Sequence, residues 1–173
     1  MKEKEKKQKI LIIILLVGIV ICMGVTIWAL FFREKKVAAD YPPQQIESNQ
    51  LPIEGDTGEK MESPEGGGAI NVTYGTDVTV SLSEEKLSLY YANPGSSNQN
   101  VAILIMIDDL VVAKSELINP GNEINELPLE SDAKSLLQVG SYNAELVVRA
   151  YDPESGEKAM VDTNGEILLT VQE

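Results

Sequence analysis

The chain predicts an all-β extracellular domain, a β-sandwich of about seven to nine strands, carried on one N-terminal transmembrane helix and a disordered linker. Three observations lead there. Ile10 to Phe32 is a run of 23 residues without a charge. The stretch that follows, as far as Gly68, has no apolar periodicity and turns to Pro, Gln, Glu, Ser, Asn and Gly. The remaining residues, Ala69 to Glu173, are short apolar runs separated by turn residues.

Residues 1–9 form a basic tail and residues 10–32 the membrane helix. At about 1.5 Å per residue the apolar run spans roughly 34 Å, slightly more than the ~30 Å hydrocarbon core. Sixteen of its 23 residues are Leu, Ile, Val or Phe, each favouring insertion by roughly 0.3 to 0.6 kcal/mol near the bilayer centre. The run exceeds the ~7–15 residues of a signal-peptide apolar region. Val37-Ala38-Ala39 has cleavage-site spacing, but Arg33, Glu34, Lys35 and Lys36 separate it from the apolar run. Cys22 lacks the small residue that a lipoprotein cysteine requires before it, since Ile21 stands there.

Lys2, Lys4, Lys6, Lys7 and Lys9 precede the helix, and Arg33, Lys35 and Lys36 follow it. This bias predicts a cytoplasmic N-terminus and a C-terminal domain outside the cell membrane. Residues 37–173 hold 24 Asp and Glu against six Lys and Arg, a net charge of −18. Such a surface repels nucleic acid and anionic head groups and attracts cationic partners or divalent metals. No cysteine lies outside the apolar run, so no disulfide braces the exported part.

Residues 33–68 read as a flexible acidic linker. Pro42-Pro43, Pro52, Pro64 and Gly66-Gly67-Gly68 interrupt regular structure, and a flexible coil from Val37 to Gly68 would span roughly 30 Å. Leu51-Pro52-Ile53-Glu54-Gly55 resembles the LPxTG sorting signal, but Glu54 replaces its threonine and no C-terminal apolar segment follows. Gly66-Gly67-Gly68 lacks the strand, helix start and lysine of a phosphate-binding loop and reads as the linker's end.

From 69 to 173 the strands follow in order. Ile70, Val72 and Tyr74 alternate with polar residues, as do Val78, Val80 and Leu82. Leu87 to Ala92 is a third strand, ending at Asn93-Pro94-Gly95-Ser96-Ser97-Asn98. Val101 to Ile107 is continuously apolar, as expected of a central strand covered on both faces, and Asp108-Asp109 turns it into Leu110 to Lys114. Asn119-Pro120-Gly121-Asn122 leads into Glu123 to Leu129, and Ser131 to Gln138 has room for one or two helical turns. From Tyr142 to Tyr151 a period of two holds for ten residues. Asp152-Pro153-Glu154-Ser155-Gly156 is a turn, Lys158 to Asp162 a short strand, Asn164-Gly165 another turn, and Glu166 to Gln172 the last strand.

Leu137-Gln138-Val139-Gly140-Ser141-Tyr142, followed by Leu146-Val147-Val148-Arg149-Ala150, resembles the L-x-x-G-x-Y…V-x-A signature of immunoglobulin-like and fibronectin type III-like domains. The resemblance implies structural roles for Gly140 and Tyr142, the tyrosine hydroxyl bonding backbone a few residues upstream. The Cys…Trp…Cys framework of true immunoglobulin domains is absent. A basic tail, one anchor, an acidic linker and such a domain are together similar to small surface proteins of Gram-positive bacteria.

The chain has no histidine, which excludes sortase chemistry and histidine-cysteine zinc sites. Met61-Glu62-Ser63-Pro64 is not the S-M-x-P of type I signal peptidases. No catalytic or cofactor-binding residue is assigned and no cofactor is expected. The weak metal candidates are Asp108 with Asp109, and Asp152 with Glu154, acids in turns that match no known calcium loop. The expected function is a non-catalytic, membrane-anchored surface module that contacts the bilayer through residues 10–32 and binds an extracellular or envelope protein, with no nucleic-acid partner. Two alternatives stand beside it: an accessory subunit of a secretion or conjugation machine, and a calcium-dependent binding domain.

Overall fold

In a computed structural model the chain divides into two compact units, Met1–Lys36 and Val37–Glu173. The structure describes residues 45–56, 58–62, 68–160 and 162–173, together with Leu15 and Gly18, which are helical. The rest of the predicted transmembrane helix, 10–32, lies outside the described residues. So do the basic tail 1–9 and the linker's first part, 33–44. Among the described residues no helix is long and apolar enough to cross a membrane.

The second unit is mostly β. Its strands are β1 (Leu51–Pro52), β2 (Thr73–Tyr74), β3 (Asp77–Ser81), β4 (Lys86–Asn93), β5 (Asn100–Ile107), β6 (Leu110–Lys114), β7 (Asn122–Pro128), β8 (Gly140–Tyr151) and β9 (Thr163–Gln172). One short helix, α1 (Ser131–Leu136), lies between β7 and β8. Two separate sheets were the sequence expectation. The strands instead form one curled sheet in the order β1-β7-β4-β3-β9-β8-β5-β6, with β2 added to β4. The cause is β3, which pairs antiparallel with β4 on one edge and parallel with β9 on the other.

The inner face gathers one core. Alternate residues supply it: Val78 and Val80 from β3, Leu87, Leu89 and Tyr91 from β4, Leu146 and Val148 from β8, Ile167, Leu169 and Val171 from β9. β5 is buried on both faces from Val101 to Leu104, which is why its sequence does not alternate. The same holds for the end of β8, where Val147, Arg149 and Tyr151 are buried on the face opposite the core. Arg149, 5% exposed, reaches the Asp162 carboxylate with its Nε at 3.4 Å.

Three local readings change. Ile70 and Val72 are not in a strand: Asn71 bonds the Ser97 hydroxyl through its amide (2.8 Å), Ala69 and Asn98 bond each other, and β2 is only Thr73–Tyr74. Lys158 to Asp162 forms a single bridge, from Lys158 to Tyr151, instead of a strand. Asn164-Gly165 is not a turn but lies inside β9, opposite Val147 and Leu146. Gly165 is there for space: a Cβ would meet the Tyr74 ring, 2.7 Å from Cζ.

Part of the segment read as linker is built into the domain. Glu47 donates its amide to the Leu117 carbonyl (2.8 Å), Ile53 to Gly121 (2.9 Å) and Met61 to Ser96 (2.8 Å), and β1 pairs with β7. Asp56 holds the next loop, accepting the amides of Gly95 and, at 3.0 Å, Gly58. These bonds, the Gly95 one foremost, lower its pKa below the usual carboxylate value.

A depressed folded-state pKa means the interaction is present above the unfolded value of about 3.9 and is lost as pH falls through the folded one. The protection of the Gly95 and Gly58 amides, taken relative to the intrinsic exchange rate at each pH, should therefore fall as pH drops below that range. In Asp56→Asn that protection should be lower at neutral pH and no longer respond to acid through this carboxyl. Equal protection in both proteins at all pH values would show that Asp56 does not hold the loop.

Candidate functional site

Four adjacent strands, β3, β9, β8 and β5, carry an open groove of about 570 Å³ on the sheet surface. Strand register dictates its make-up. Met106 pairs with Glu145 and Glu145 with Glu166, forming one row. Asn143 pairs with Leu168 and Leu168 with Asp77, forming the next. Asp108, in the β5–β6 turn with φ 51°, closes one end. The groove thus holds four carboxylates, Asp77, Asp108, Glu145 and Glu166, beside Met106 and Leu168, and among the described residues no basic one lines it. Leu168 is 46% exposed.

Glu145 and Glu166 face each other directly across the ladder, an arrangement that opposes pairing between strands. A cationic group laid over them relieves that repulsion, while Met106 and Leu168 offer apolar contact to its stem. Of the residues singled out from sequence, only Asp108 enters this groove. Asp109 lies beside it in the turn. Neither Glu145 nor Glu166 stood out, because nothing in the linear sequence sets their register.

Asp152 and Glu154 lie at the other end of the β5–β8 ladder. Its register runs from Asn100–Tyr151 to Met106–Glu145, so roughly 20 Å separates the two acid sets at ~3.4 Å per residue. Asp152 is occupied as a turn cap: its Oδ1 accepts the amides of Ser155 (2.7 Å) and Glu154 (3.0 Å) and the Ser155 hydroxyl (3.0 Å). The Ser155 backbone bond is the main cause of its lowered pKa. Among the described residues no group of three or more Asp, Glu, His or Cys is placed to hold a metal ion.

Tyr142, early in β8 and half-buried, donates its hydroxyl to the Gln138 carbonyl four residues upstream at 3.0 Å. It thereby ties the α1–β8 connection to the strand. Gly140 has φ +155°, a conformation that L side chains rarely adopt. Neither residue belongs to the groove.

Two measurements follow. Tyr142→Phe should lower stability by about 0.5–1 kcal/mol, the net worth of one partly exposed hydrogen bond, read by chemical denaturation of a fragment beginning at Val37. In the same fragment millimolar calcium and chelator should give the same melting temperature, in the unaltered protein and in Asp108→Ala and Asp152→Ala. A calcium-induced rise that either substitution removes would establish a metal site instead.

No family model matches the chain, and no curated protein matches it. Among solved structures it is similar to AggA, the major subunit of aggregative adherence fimbriae type I from Escherichia coli, at 12% identity, with 65% of this chain and 100% of that one covered and a TM-score of 0.32. A likeness at that score carries no argument about function.

Proposed function

We propose that the chain is a single-pass, membrane-anchored protein-interaction module, non-catalytic, with an immunoglobulin-like β-domain presented outside the cell. The observation that carries the reading is the groove across β3, β9, β8 and β5. It offers four carboxylates and two apolar side chains to solvent on paired strands. Paired strands hold side chains at fixed spacing, which suits recognition of a protein surface, and the acidic balance of −18 over residues 37–173 selects cationic partners. The immunoglobulin-like assignment is supported by the β3–β9 parallel pairing, the β5–β8–β9 ladder and the Tyr142–Gln138 bond.

Anchoring rests on the sequence: a 23-residue uncharged run with five lysines before it and three basic residues after it. On this reading the layout is that of a small surface protein of Gram-positive bacteria, which its order of segments resembles. The lack of histidine, and of cysteine outside the apolar run, supports a non-catalytic role.

Protease added to intact, wall-stripped cells should destroy a C-terminal tag and spare an N-terminal one. A C-terminal tag protected until the membrane is broken would overturn the orientation. The double variant Glu145→Lys/Glu166→Lys should keep its β-rich circular dichroism but lose most crosslinked partner in intact cells. Unchanged capture would remove the groove from the function.

A further inference from the structure

Residues 45–53 are held by one continuous stretch of the domain, 115–126, where the chain leaves the β5–β6 side and becomes β7. The Leu117 amide donates to the Gln45 carbonyl (3.0 Å) and the Glu47 amide to the Leu117 carbonyl (2.8 Å). The Glu116 amide donates to the Glu47 carboxylate (2.8 Å), the Asn119 amide to Gln50 Oε1 (3.0 Å), and Asn49 Nδ2 to the Glu126 carbonyl (2.7 Å). Ile53 bonds the Gly121 carbonyl, while Leu51 and Pro52 pair with Glu123 and Asn122. Little apolar surface is engaged, since Ile46 is 47% and Leu51 53% exposed.

The segment docks partly as a loop and partly as an added strand: Ile46 bridges Leu117 in the parallel sense, residues 48–49 turn, and Leu51 and Pro52 pair antiparallel with β7, so backbone bonds hold it and side chains at set positions give selectivity. The edge demands a carboxylate, then side-chain amides two and three residues later, as Glu47, Asn49 and Gln50 supply. We propose that 115–126 is a docking site that residues 45–53 of a second copy occupy where copies are crowded. The arrangement in one chain is its self-occupied form. A second copy is the one occupant whose fit is already displayed, bond by bond.

The tether permits it. Among the described residues between 54 and 62, those bonded to the domain are Asp56, Lys60 and Met61, all to residues 95–98. Fifteen extended residues, 54–68, reach about 50 Å, more than the diameter of roughly 34 Å expected for a domain near 100 residues. Exchanged and self-occupied forms contain the same bonds, so mass action sets the balance. A short tether gives an effective concentration in the millimolar range, which copies held in one membrane oppose by their density. The proposal rests on the anchored reading only for that crowding.

The test uses the full-length chain with Cys22→Ser, two differently tagged copies being co-expressed. One carries Leu51→Cys and the other Glu123→Cys, positions that pair across β1 and β7. After mild oxidation, a reducible heterodimer should form severalfold above that given by Leu51→Cys with the exposed Ser135→Cys, and should increase with expression. A chain carrying both Leu51→Cys and Glu123→Cys reports self-occupation as an internal disulfide. That internal disulfide with no heterodimer at any expression level would overturn the proposal, as would a heterodimer no stronger than the Ser135→Cys background. Protease protection on the same cells reads anchoring separately, so failure of one reading is not mistaken for failure of the other.

Discussion

β3 has hydrogen-bonding partners on both edges, and the shape of the domain follows from that. Its antiparallel ladder to β4 runs from Thr79–Ser88 to Ser81–Lys86, and its parallel ladder to β9 from Asp77–Leu168 to Ser81–Gln172. A strand bonded on one edge only would leave β4 with β7, and β9 with β8 and β5, as two sheets pressed together by apolar contact. Bonding on both edges makes them one surface that must curl to bring its inner side chains together. Val78 and Val80, both buried, point into the centre of that curl. At the far seam Leu129, just past β7, bridges Ala113 of β6, and the Glu130 amide donates to the Val112 carbonyl at 2.9 Å. The ends of the curled sheet thus come close to meeting, and each closure removes an edge open to unwanted pairing.

The crossover at 115–126 is where this economy is strained. Between Ser115, whose hydroxyl accepts the Ile103 amide (2.9 Å), and β7, the chain turns through Asn119, Pro120 and Gly121 and belongs to neither ladder throughout. Its amides and carbonyls still need partners. Asn93, fully buried, supplies one by donating to the Ile118 and Gln99 carbonyls at 3.0 and 3.1 Å. Val101 pairs with Ile118 through both backbone groups, and residues 45–53 supply partners for the amides of Glu116, Leu117 and Asn119 and the carbonyls of Leu117 and Gly121. Their task is to satisfy backbone rather than fill a core, which explains how so polar a segment is ordered.

The same point shows why part of the fold was legible in the sequence and part was not. Strands with one wet face, such as β3 and β9, announce themselves by alternation, and β5 by its unbroken apolar run. The α1 turn and the β5–β6 hairpin also stood where residue type placed them. Gln45, Glu47, Asn49 and Gln50 look like linker because polar side chains that bond backbone are, by composition alone, the same as polar side chains that bond water. Asn164-Gly165 looked like a turn because its glycine was read as a backbone device, whereas Tyr74 requires the missing Cβ. Of the groove, the sequence disclosed Asp108 as an acid in a turn. Asp77, Glu145 and Glu166 join it only through three strand registers.

The acids of this chain therefore divide by what their oxygens already do. Asp56 and Asp152 accept backbone amides, and those bonds lower their pKa values; their negative charge is committed to holding loops. Glu126 and Glu130 face Lys86 and Lys114, and Asp162 is shared between Arg149 and Lys158. In the groove the balance differs, because four carboxylates line it and, among the described residues, no base does. Like charges opposed across a ladder weaken the pairing of their strands. β8 and β9 nonetheless pair over nine successive positions, from Gly140–Val171 to Val148–Thr163, with Leu146, Val148, Ile167 and Leu169 buried on the other face. The ladder's length and its buried face offset the repulsion between Glu145 and Glu166, leaving their negative charge fixed on paired strands. A field held that way attracts a cationic surface without first having to order its own side chains on flexible loops.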